Sequence, residues 1–263
     1  MLKYLLIIIF IPFFCSSFQD DKIILEIEDY PKFTEEQKQQ KIRTIIDCIK
    51  NDNVDLLKTL VEYPLRRRYP LKSITSEEEF KSKYNEIFDD KLRSEIINSD
   101  VEHDWWETES YGLTLQSIHV GISLDGKLTV LPLSKAEEVK RDSLIEIDRD
   151  TIHKSIKKYK YPLLHMTTSK SNIRIYMMSD PRKCTLVIWD KDSSLSSKPK
   201  LIIEKGLFYY PPWSHAHFSF YNDPYKYELF TDKDGKYHGK PVEFITYKND
   251  KVISKEPAIE LND

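Results

Sequence analysis

Hydrophobic residues recur at helical spacing through the first half of the chain. Four helices are predicted there, and each begins after residues that commonly cap a helix N-terminus: Thr34, Asn53, Ser76, and Asp89 or Asp90. Thr34 with Gln37 and Ser76 with Glu79 match the capping-box pattern, in which side chains satisfy free backbone amides at the helix start. Behind these caps the apolar residues fall on one face of each helix, so the helices are expected to share a core.

The period changes near the middle of the chain, from the spacing of helices to the alternation of strands. Two strands are predicted over Leu113–Val120 and Ile122–Leu133, and Asp125-Gly126 marks a two-residue hairpin turn inside the second of them. The preceding segment, Val101–Tyr111, is predicted to be a loop. Of its two neighbouring tryptophans, Trp105 and Trp106, one is expected to cover the core and the other a groove.

The last part of the chain has the pattern of an almost entirely β structure. Turn-forming residues separate short alternating segments, and the predicted strands are Asn172–Met178, Thr185–Trp189, Lys200–Phe208, His215–Tyr221, Tyr225–Thr231, Val242–Tyr247 and Lys251–Ser254. Short strands at this spacing favour an antiparallel meander or a small barrel.

Helices followed by strands predict an α+β fold. N-terminal helices are expected to pack on a curved antiparallel sheet, and a mostly antiparallel β domain is expected to follow. The predicted organisation is a signal peptide over residues 1–17, an α+β domain over 18–133, a charged linker over 134–160 and an all-β domain over 161–263. The linker is expected to end in a short strand and a helix.

Composition limits the partners that this chain is expected to have. Its 263 residues include 43 acidic and 40 basic side chains, which give a net charge of −3. Because such a chain lacks an overall basic field, nucleic acid is not an expected partner. The chain has only six glycines, which disfavours a glycine-rich nucleotide-binding loop, and no cofactor is expected.

The N-terminus has the pattern of a secretory signal. Lys3 precedes the apolar run Tyr4–Phe14, which is too short for a permanent transmembrane helix. Small residues follow, so we expect cleavage after Ser17 and release to the periplasm or the exterior, with no transmembrane segment afterwards. The alternatives are a lipoprotein anchored at Cys15 and an N-terminal anchor that is never cleaved.

Two cysteines remain after the predicted cleavage, Cys48 and Cys184. In an exported protein these two residues could form a disulfide. Because they belong to different predicted domains, both are instead expected to be small buried side chains.

The residues around the arginines resemble a domain that recurs in exported bacterial proteins of unknown function. The matching pattern consists of Tyr63-Pro64-Leu65, Arg66 to Arg68, Tyr69-Pro70-Leu71, Glu78-Glu79-Phe80, Tyr84 and Ile87-Phe88-Asp89. The order of helices before a curved sheet is similar to the nuclear transport factor two-like (cystatin-like cone) superfamily, over about Thr34 to Leu133. The resemblance implies a cone-like domain, and that fold hosts enzymes, binding modules and scaffolds alike.

The residues most suited to ligand binding are the arginines and the tryptophans, namely Arg66, Arg67, Arg68, Trp105 and Trp106. Guanidinium groups bind carboxylates or phosphates through paired hydrogen bonds, and indoles supply apolar surface. If the third and fourth helices run in opposite directions, the loops that carry these residues meet at one end. The alternative is that an arginine stacks on an indole and closes the end of the core.

Catalytic and metal sites are less well supported. His119, on a predicted strand with Asp125 or Glu107 nearby, has the chemistry of a general base. His215 and His217 would lie on one face of a predicted strand, but a third ligand is missing and no metal is expected. We therefore expect an exported, non-catalytic binding or interaction protein for an unknown small molecule, glycan or protein. The alternative is a cone-type hydrolase or isomerase centred on His119.

Overall fold

The computed structural model of the chain describes residues 33–108, 112–123, 125–156, 158–180, 182–209, 216–231, 236–237 and 240–261. The predicted signal peptide with its Cys15 and Ser17, and also His215, lie outside the described residues. Within them the α+β class is confirmed, with helices dominating the N-terminal part and strands the C-terminal part.

The predicted N-terminal helices are confirmed together with their caps. They are α1 (Glu35–Lys50), α2 (Val54–Leu57), α3 (Glu77–Ile87) and α4 (Asp90–Ile97), and a 3-10 turn at Lys58–Leu60 follows α2. The side chains of Thr34, Asn53, Ser76 and Asp89 each accept a hydrogen bond from a backbone amide in the first turn. Local capping chemistry therefore determines where these helices begin.

A four-stranded antiparallel sheet follows, with its strands in chain order. They are β1 (Trp105–Thr108), β2 (Gly112–Leu115), β3 (Val120–Ile122) and β4 (Leu128–Val130). The prediction of one strand over Leu113–Val120 is wrong, because a turn at residues 116–119 separates β2 from β3. β3 and β4 are antiparallel and flank the predicted turn at Asp125-Gly126. The loop predicted around the tryptophans contains β1, which is extended because it pairs with β2 from Trp105 opposite Leu115 to Thr108 opposite Gly112.

The segment predicted as a charged linker contains a helix, α5 (Lys135–Thr151), and then a 3-10 turn at Lys154–Ile156. Ser134 and Glu137 form a capping box at the start of α5. Only a few apolar side chains of this segment are buried, among them Ile145, Ile152 and Ile156. That sparse pattern explains why a helix was predicted only at the end of the segment, whereas α5 begins near its start.

The C-terminal strands form a nine-stranded antiparallel sheet that nearly closes into a barrel. Its strands are β5 (Tyr161–Thr167), β6 (Ser171–Met177), β7 (Lys183–Asp190), β8 (Leu201–Tyr209), β9 (Ala216–Asn222), β10 (Tyr225–Thr231), β13 (Glu243–Lys248), β14 (Lys251–Pro257) and β15 (Ile259–Glu260); the short pair β11 (Lys236–Tyr237) and β12 (Lys240–Pro241) stands apart. The predicted strands are confirmed to within a few residues, whereas β5 was not predicted. β14 pairs with β13 and β15 pairs with β5, so one stretch of chain joins both ends of the meander.

Alternating residues fill the interior of this near-barrel. They include Leu164, Met166, Ile175, Leu186, Phe218, Phe220 and Phe244. Gly206 lies under Phe220, and a Cβ added to this glycine would stand 2.1 Å from the phenyl ring. The described part of the interior is therefore packed by side chains.

Residues 33–263 cluster into one compact unit that has separate hydrophobic cores. One core lies among the N-terminal helices and their sheet, and a second fills the near-barrel. A third cluster packs α5 and the chain after it on the outer face of β6 and β7, through Ile145, Tyr176 and Trp189. The predicted domain boundaries are not tested by this arrangement and stay a prediction.

Cys48 and Cys184 are both buried and unpaired, as the sequence predicted. Burial raises the pKa of Cys184 to about 12, so its thiol is protonated at neutral pH and unsuited to nucleophilic attack. Among the described helices, none is long and apolar enough to span a bilayer.

Candidate anion-binding site at the arginine loop

The three consecutive arginines lie in a tight loop, which we call the arginine loop (residues 65–74). Leu65 and Ile74 close it by exchanging backbone hydrogen bonds of 2.8 and 2.9 Å. Both closing side chains are buried in the helical core. Backbone hydrogen bonds and two buried side chains thus fix the base of the loop that carries the arginines.

Arg67 is a buried structural residue. Its guanidinium forms a two-pronged ion pair with Glu137, with Nε at 2.7 Å from Oε1, and it also donates to the carbonyl oxygens of Leu131 and Pro132. Its side chain and that of Glu137 are almost completely buried. Arg67 therefore ties the arginine loop to the start of α5, and it is not available to a ligand.

A second buried network ties the same loop to the near-barrel. Arg174 on β6 contacts the hydroxyl of Tyr69 in the arginine loop and the carboxylate of Asp148 on α5, and it donates to the Tyr176 hydroxyl at 3.0 Å. Tyr159 donates to Asp148 at 2.6 Å. The loop, α5 and the outer face of the sheet thereby form one polar junction around Arg174, whose buried Nε has no hydrogen-bond partner among the described residues.

His165 lies at this junction, opposite Arg174 in the register of β5 and β6. Its ring packs edge-on against Tyr69 at 6.5 Å between centroids, and its buried Nε2 has no hydrogen-bond partner among the described residues. Burial and the charge of Arg174 lower the pKa of His165 to about 4, with Asp148 opposing them. The imidazole is therefore neutral at physiological pH.

Arg68 and Arg141 form the accessible part of the site. Arg141 on α5 is partly buried: its Nε donates to the backbone oxygen of Tyr69 at 2.9 Å, and its guanidinium lies over the ring of Tyr161 at 4.7 Å. Arg68 is exposed in the arginine loop. Burial and the positive charge of Arg68 both lower the pKa of Arg141, while Asp142, the next residue on α5, opposes them.

The described part of the chain shows no ion pair between a carboxylate and either Arg68 or Arg141. The neighbouring arginines differ, because Arg66 lies 3.7 Å from Glu260 and Arg67 is paired with Glu137. Two adjacent positive charges without a paired carboxylate are an unfavourable arrangement that a bound anion would relieve. This is the strongest electrostatic candidate for a ligand site among the described residues.

The two predicted site tryptophans differ in their burial. Trp105 is buried in the helical core and donates from Nε1 to Ser99 at 3.0 Å, which confirms that one indole covers the core. Trp105 also lines a groove of about 500 Å³. Residues of α1 and of the segment 101–107 border this groove, among them Lys38 and His103. Trp106 is 57% exposed. Arg67 contacts Glu137 at the start of α5, and Arg141 contacts Tyr161 on β5. The predicted pairing of an arginine with an indole stays a prediction.

His119 and His217 are the two described histidines that the sequence analysis considered for catalysis or metal binding. His119 lies exposed in the turn between β2 and β3 with φ of 56°, so the prediction that it sits on a strand is wrong. His217 contacts Ser219 at 3.1 Å and Glu228 at 3.7 Å through the same ring nitrogen, Nε2. A hydrolytic triad needs the serine and the carboxylate on opposite ring nitrogens, and this cluster lacks that geometry.

Two residues of the site, Arg141 and Tyr161, were missed from the sequence. The capping-box pattern Ser134–Glu137 is a signal that could have revealed the start of α5 and hence the helix that carries Arg141. No comparable local signal places Arg141 beside the arginine loop, which lies 72 residues away along the chain.

Comparisons of this chain with family models, with curated proteins and with solved structures found no match.

Proposed function

We propose that this chain is an exported, non-catalytic binding protein whose ligand carries an anionic group that Arg68 and Arg141 hold. The observation that carries the proposal is that neither Arg68 nor Arg141, two guanidinium groups on neighbouring segments, forms an ion pair with a carboxylate among the described residues. Arginine binds carboxylates and phosphates through parallel N–H···O bonds, and charge-assisted bonds of this kind contribute more than neutral ones. The ligand is a small molecule, a glycan or a protein segment that presents such a group.

Preorganisation supports a binding role. Arg141 is held by the Tyr69 carbonyl and the Tyr161 ring, and the arginine loop is anchored through Arg67 and Tyr69. Side chains already held in place lose less conformational entropy when a ligand arrives. The protonated, buried thiol of Cys184 and the exposed turn position of His119 also favour binding over nucleophilic catalysis.

Replacing Arg68 or Arg141 by glutamine is expected to weaken anion binding at least about tenfold, because each substitution removes a charge-assisted bond. Isothermal titration calorimetry with glucuronate, a glutamate-rich peptide and inorganic phosphate measures this, at low and at physiological ionic strength. Arg43→Gln is the matched control, since Arg43 is an exposed arginine on α1. If none of the three probes binds the wild type, or if Arg68→Gln and Arg141→Gln bind like it, the proposal is wrong.

We also propose export with cleavage after Ser17, on the basis of the positive end, the apolar run and the small residues that follow. The mature protein is then expected to begin at Phe18. Intact-mass analysis of the protein recovered from the periplasm or medium measures the new N-terminus. A mature chain that begins at Cys15 with added lipid mass would establish the lipoprotein alternative instead.

A further inference from the structure

Tyr69 connects the arginine loop both to the near-barrel and to Arg141. The Tyr69 hydroxyl accepts a hydrogen bond from Arg174 on β6, whose Cζ lies 5.8 Å from the centroid of the Tyr69 ring. The same ring packs against His165 on β5, with 6.5 Å between centroids. The backbone oxygen of Tyr69 accepts the 2.9 Å hydrogen bond from Arg141 Nε. We call the packing of Tyr69 against His165 and Arg174 the Tyr69 contact.

His165 and Arg174 lie side by side at the Tyr69 contact. They are directly opposite each other in the antiparallel register of β5 and β6, and opposite side chains in such a pair lie on one face of the sheet with Cβ atoms about 4.5–5.5 Å apart. Asp148 and two tyrosine hydroxyls hold the guanidinium of Arg174 in place. A proton on His165 would therefore put a second positive charge beside one that is fixed.

The carboxylates around His165 are already paired with other cations. Asp148 on α5 contacts Arg174. On the other side of β5, Glu260 of β15 lies 3.7 Å from Arg66. The nearby carboxylate charges are therefore largely balanced, and a protonated His165 would add an unbalanced positive charge.

A protonated His165 would also lack a partner for its buried Nε2 atom, which has none among the described residues. The phenols of Tyr69, Tyr159 and Tyr176 stay neutral in acid, since tyrosine loses its proton only near about pH 10. Burial and the charge of Arg174 lower the pKa of His165 to about 4, whereas an imidazole in water takes up its proton near about pH 6.5. Acid is thus expected to favour an arrangement in which His165 reaches water.

We propose that the Tyr69 contact is a pH switch: protonation of His165 separates Tyr69 from the near-barrel, and the Tyr69 carbonyl then no longer holds Arg141. The switch regulates the anion-binding site, and in this respect it rests on the proposed function. The base of the arginine loop stays closed, because the backbone hydrogen bonds between Leu65 and Ile74 involve no titrating group. The tip of the loop therefore moves while its base keeps its place, and Arg141 loses its preorganisation for binding.

The size of the effect follows from the two proton affinities of His165. With a pKa of about 4 in the closed form and about 6.5 in the open form, the ratio of open to closed protein rises about tenfold between pH 7.5 and pH 5.5. Each opening exposes the Arg141 Nε–H group to water, so its hydrogen exchange reports this ratio. Glucuronate, which keeps its charge over this pH range, is expected to bind the wild type more weakly at pH 5.5 than at pH 7.5.

NMR of the protein with isotope-labelled arginine tests the switch. The exchange rate of the Arg141 Nε–H group is divided by that of the exposed Arg43 in the same sample, which removes the intrinsic effect of pH on exchange. In the wild type this exchange ratio is expected to rise about tenfold from pH 7.5 to pH 5.5. In His165→Phe it is expected to stay constant. The matched control His103→Phe, at an exposed histidine beside Asp100, is expected to behave like the wild type.

Two more variants separate the titration of His165 from its packing. His165→Gln also lacks a titrating group and repeats the measurement without the bulk of a phenyl ring. Tyr69→Phe is expected to raise the exchange ratio already at pH 7.5, because it removes the hydroxyl that Arg174 contacts. Calorimetric titration with glucuronate at both pH values measures the effect on binding.

An equal rise of the exchange ratio in the wild type, His165→Phe and His165→Gln, or no rise in the wild type, would overturn the switch. Glucuronate binding that is lost in Arg141→Gln would then leave the proposed function in place. A rise confined to proteins that keep His165, without binding of glucuronate, the glutamate-rich peptide or phosphate, would support the switch and contradict the anion-binding function. Such a rise together with weaker glucuronate binding at pH 5.5 would support both.

Discussion

Arg67→Ala is expected to lower the free energy of unfolding by about 3–5 kcal/mol, because it strands the buried carboxylate of Glu137 without its charge partner. The ion pair is almost inaccessible to solvent, so water cannot replace the lost guanidinium. The carbonyl oxygens of Leu131 and Pro132 would lose their donors at the same time. Urea denaturation followed by circular dichroism measures the change.

A double substitution distinguishes the charge from the packing. Arg67→Met with Glu137→Gln removes both charges while keeping side-chain volume and the capping position of α5, and it is expected to recover much of the lost stability. Arg182→Ala is the surface control, since Arg182 is an exposed partner of Asp180, and little change is expected there. A loss for Arg67→Ala no larger than that for Arg182→Ala would show that the buried pair does not hold the loop.

The second large effect is a decrease in the free energy of unfolding at acidic pH, which depends on the protonation of His165. In the unfolded chain this imidazole takes up its proton near pH 6.5, whereas in the folded protein burial and Arg174 lower its pKa to about 4. Between these values the unfolded state binds more protons, so stability rises with pH. The contribution is complete above pH 6.5 and is lost as the pH falls toward 4, by about 3 kcal/mol.

His165→Phe is expected to remove this part of the pH dependence, because it keeps an aromatic ring against Tyr69 without a titrating group. Asp148 and Arg174 face the same junction, and the carboxylates of the protein also titrate in this range. The relevant quantity is therefore the difference between wild type and His165→Phe in unfolding free energy at pH 7 and at pH 4.5. If both proteins lose the same stability between these two pH values, His165 does not supply the effect.

The sequence predicted those features that depend on residues close together along the chain. The start of α1 follows from Thr34 and Gln37, which bond to each other's backbone three positions apart. The strands from β6 to β14 follow from alternation between neighbouring residues, because side chains in a strand point to opposite faces. The burial of Cys48 and Cys184 was predicted from another argument, their placement in different predicted domains.

The prediction of a linker over 134–160 shows where local reasoning stops. α5 turns only a few apolar side chains toward the protein, so its pattern is as polar as that of an exposed connection. Its stability depends on the cap at Ser134 and on the packing of Ile145 with Tyr176 and Trp189, which are distant along the chain. The strand predicted over Leu113–Val120 failed for a related reason, since the turn at 116–119 contains neither glycine nor proline to mark it.

By itself the sequence determined the class of the fold, the helix starts, most strands of the near-barrel and the presence of a short arginine cluster. Only the tertiary structure decided what each arginine does. Arg67 is buried because Glu137, 70 residues away, meets it, and the loop is joined to the sheet through Tyr69 and Arg174, 105 residues apart. Such distant contacts set burial and charge pairing, and burial and pairing separate a structural guanidinium such as Arg67 from an accessible one such as Arg68.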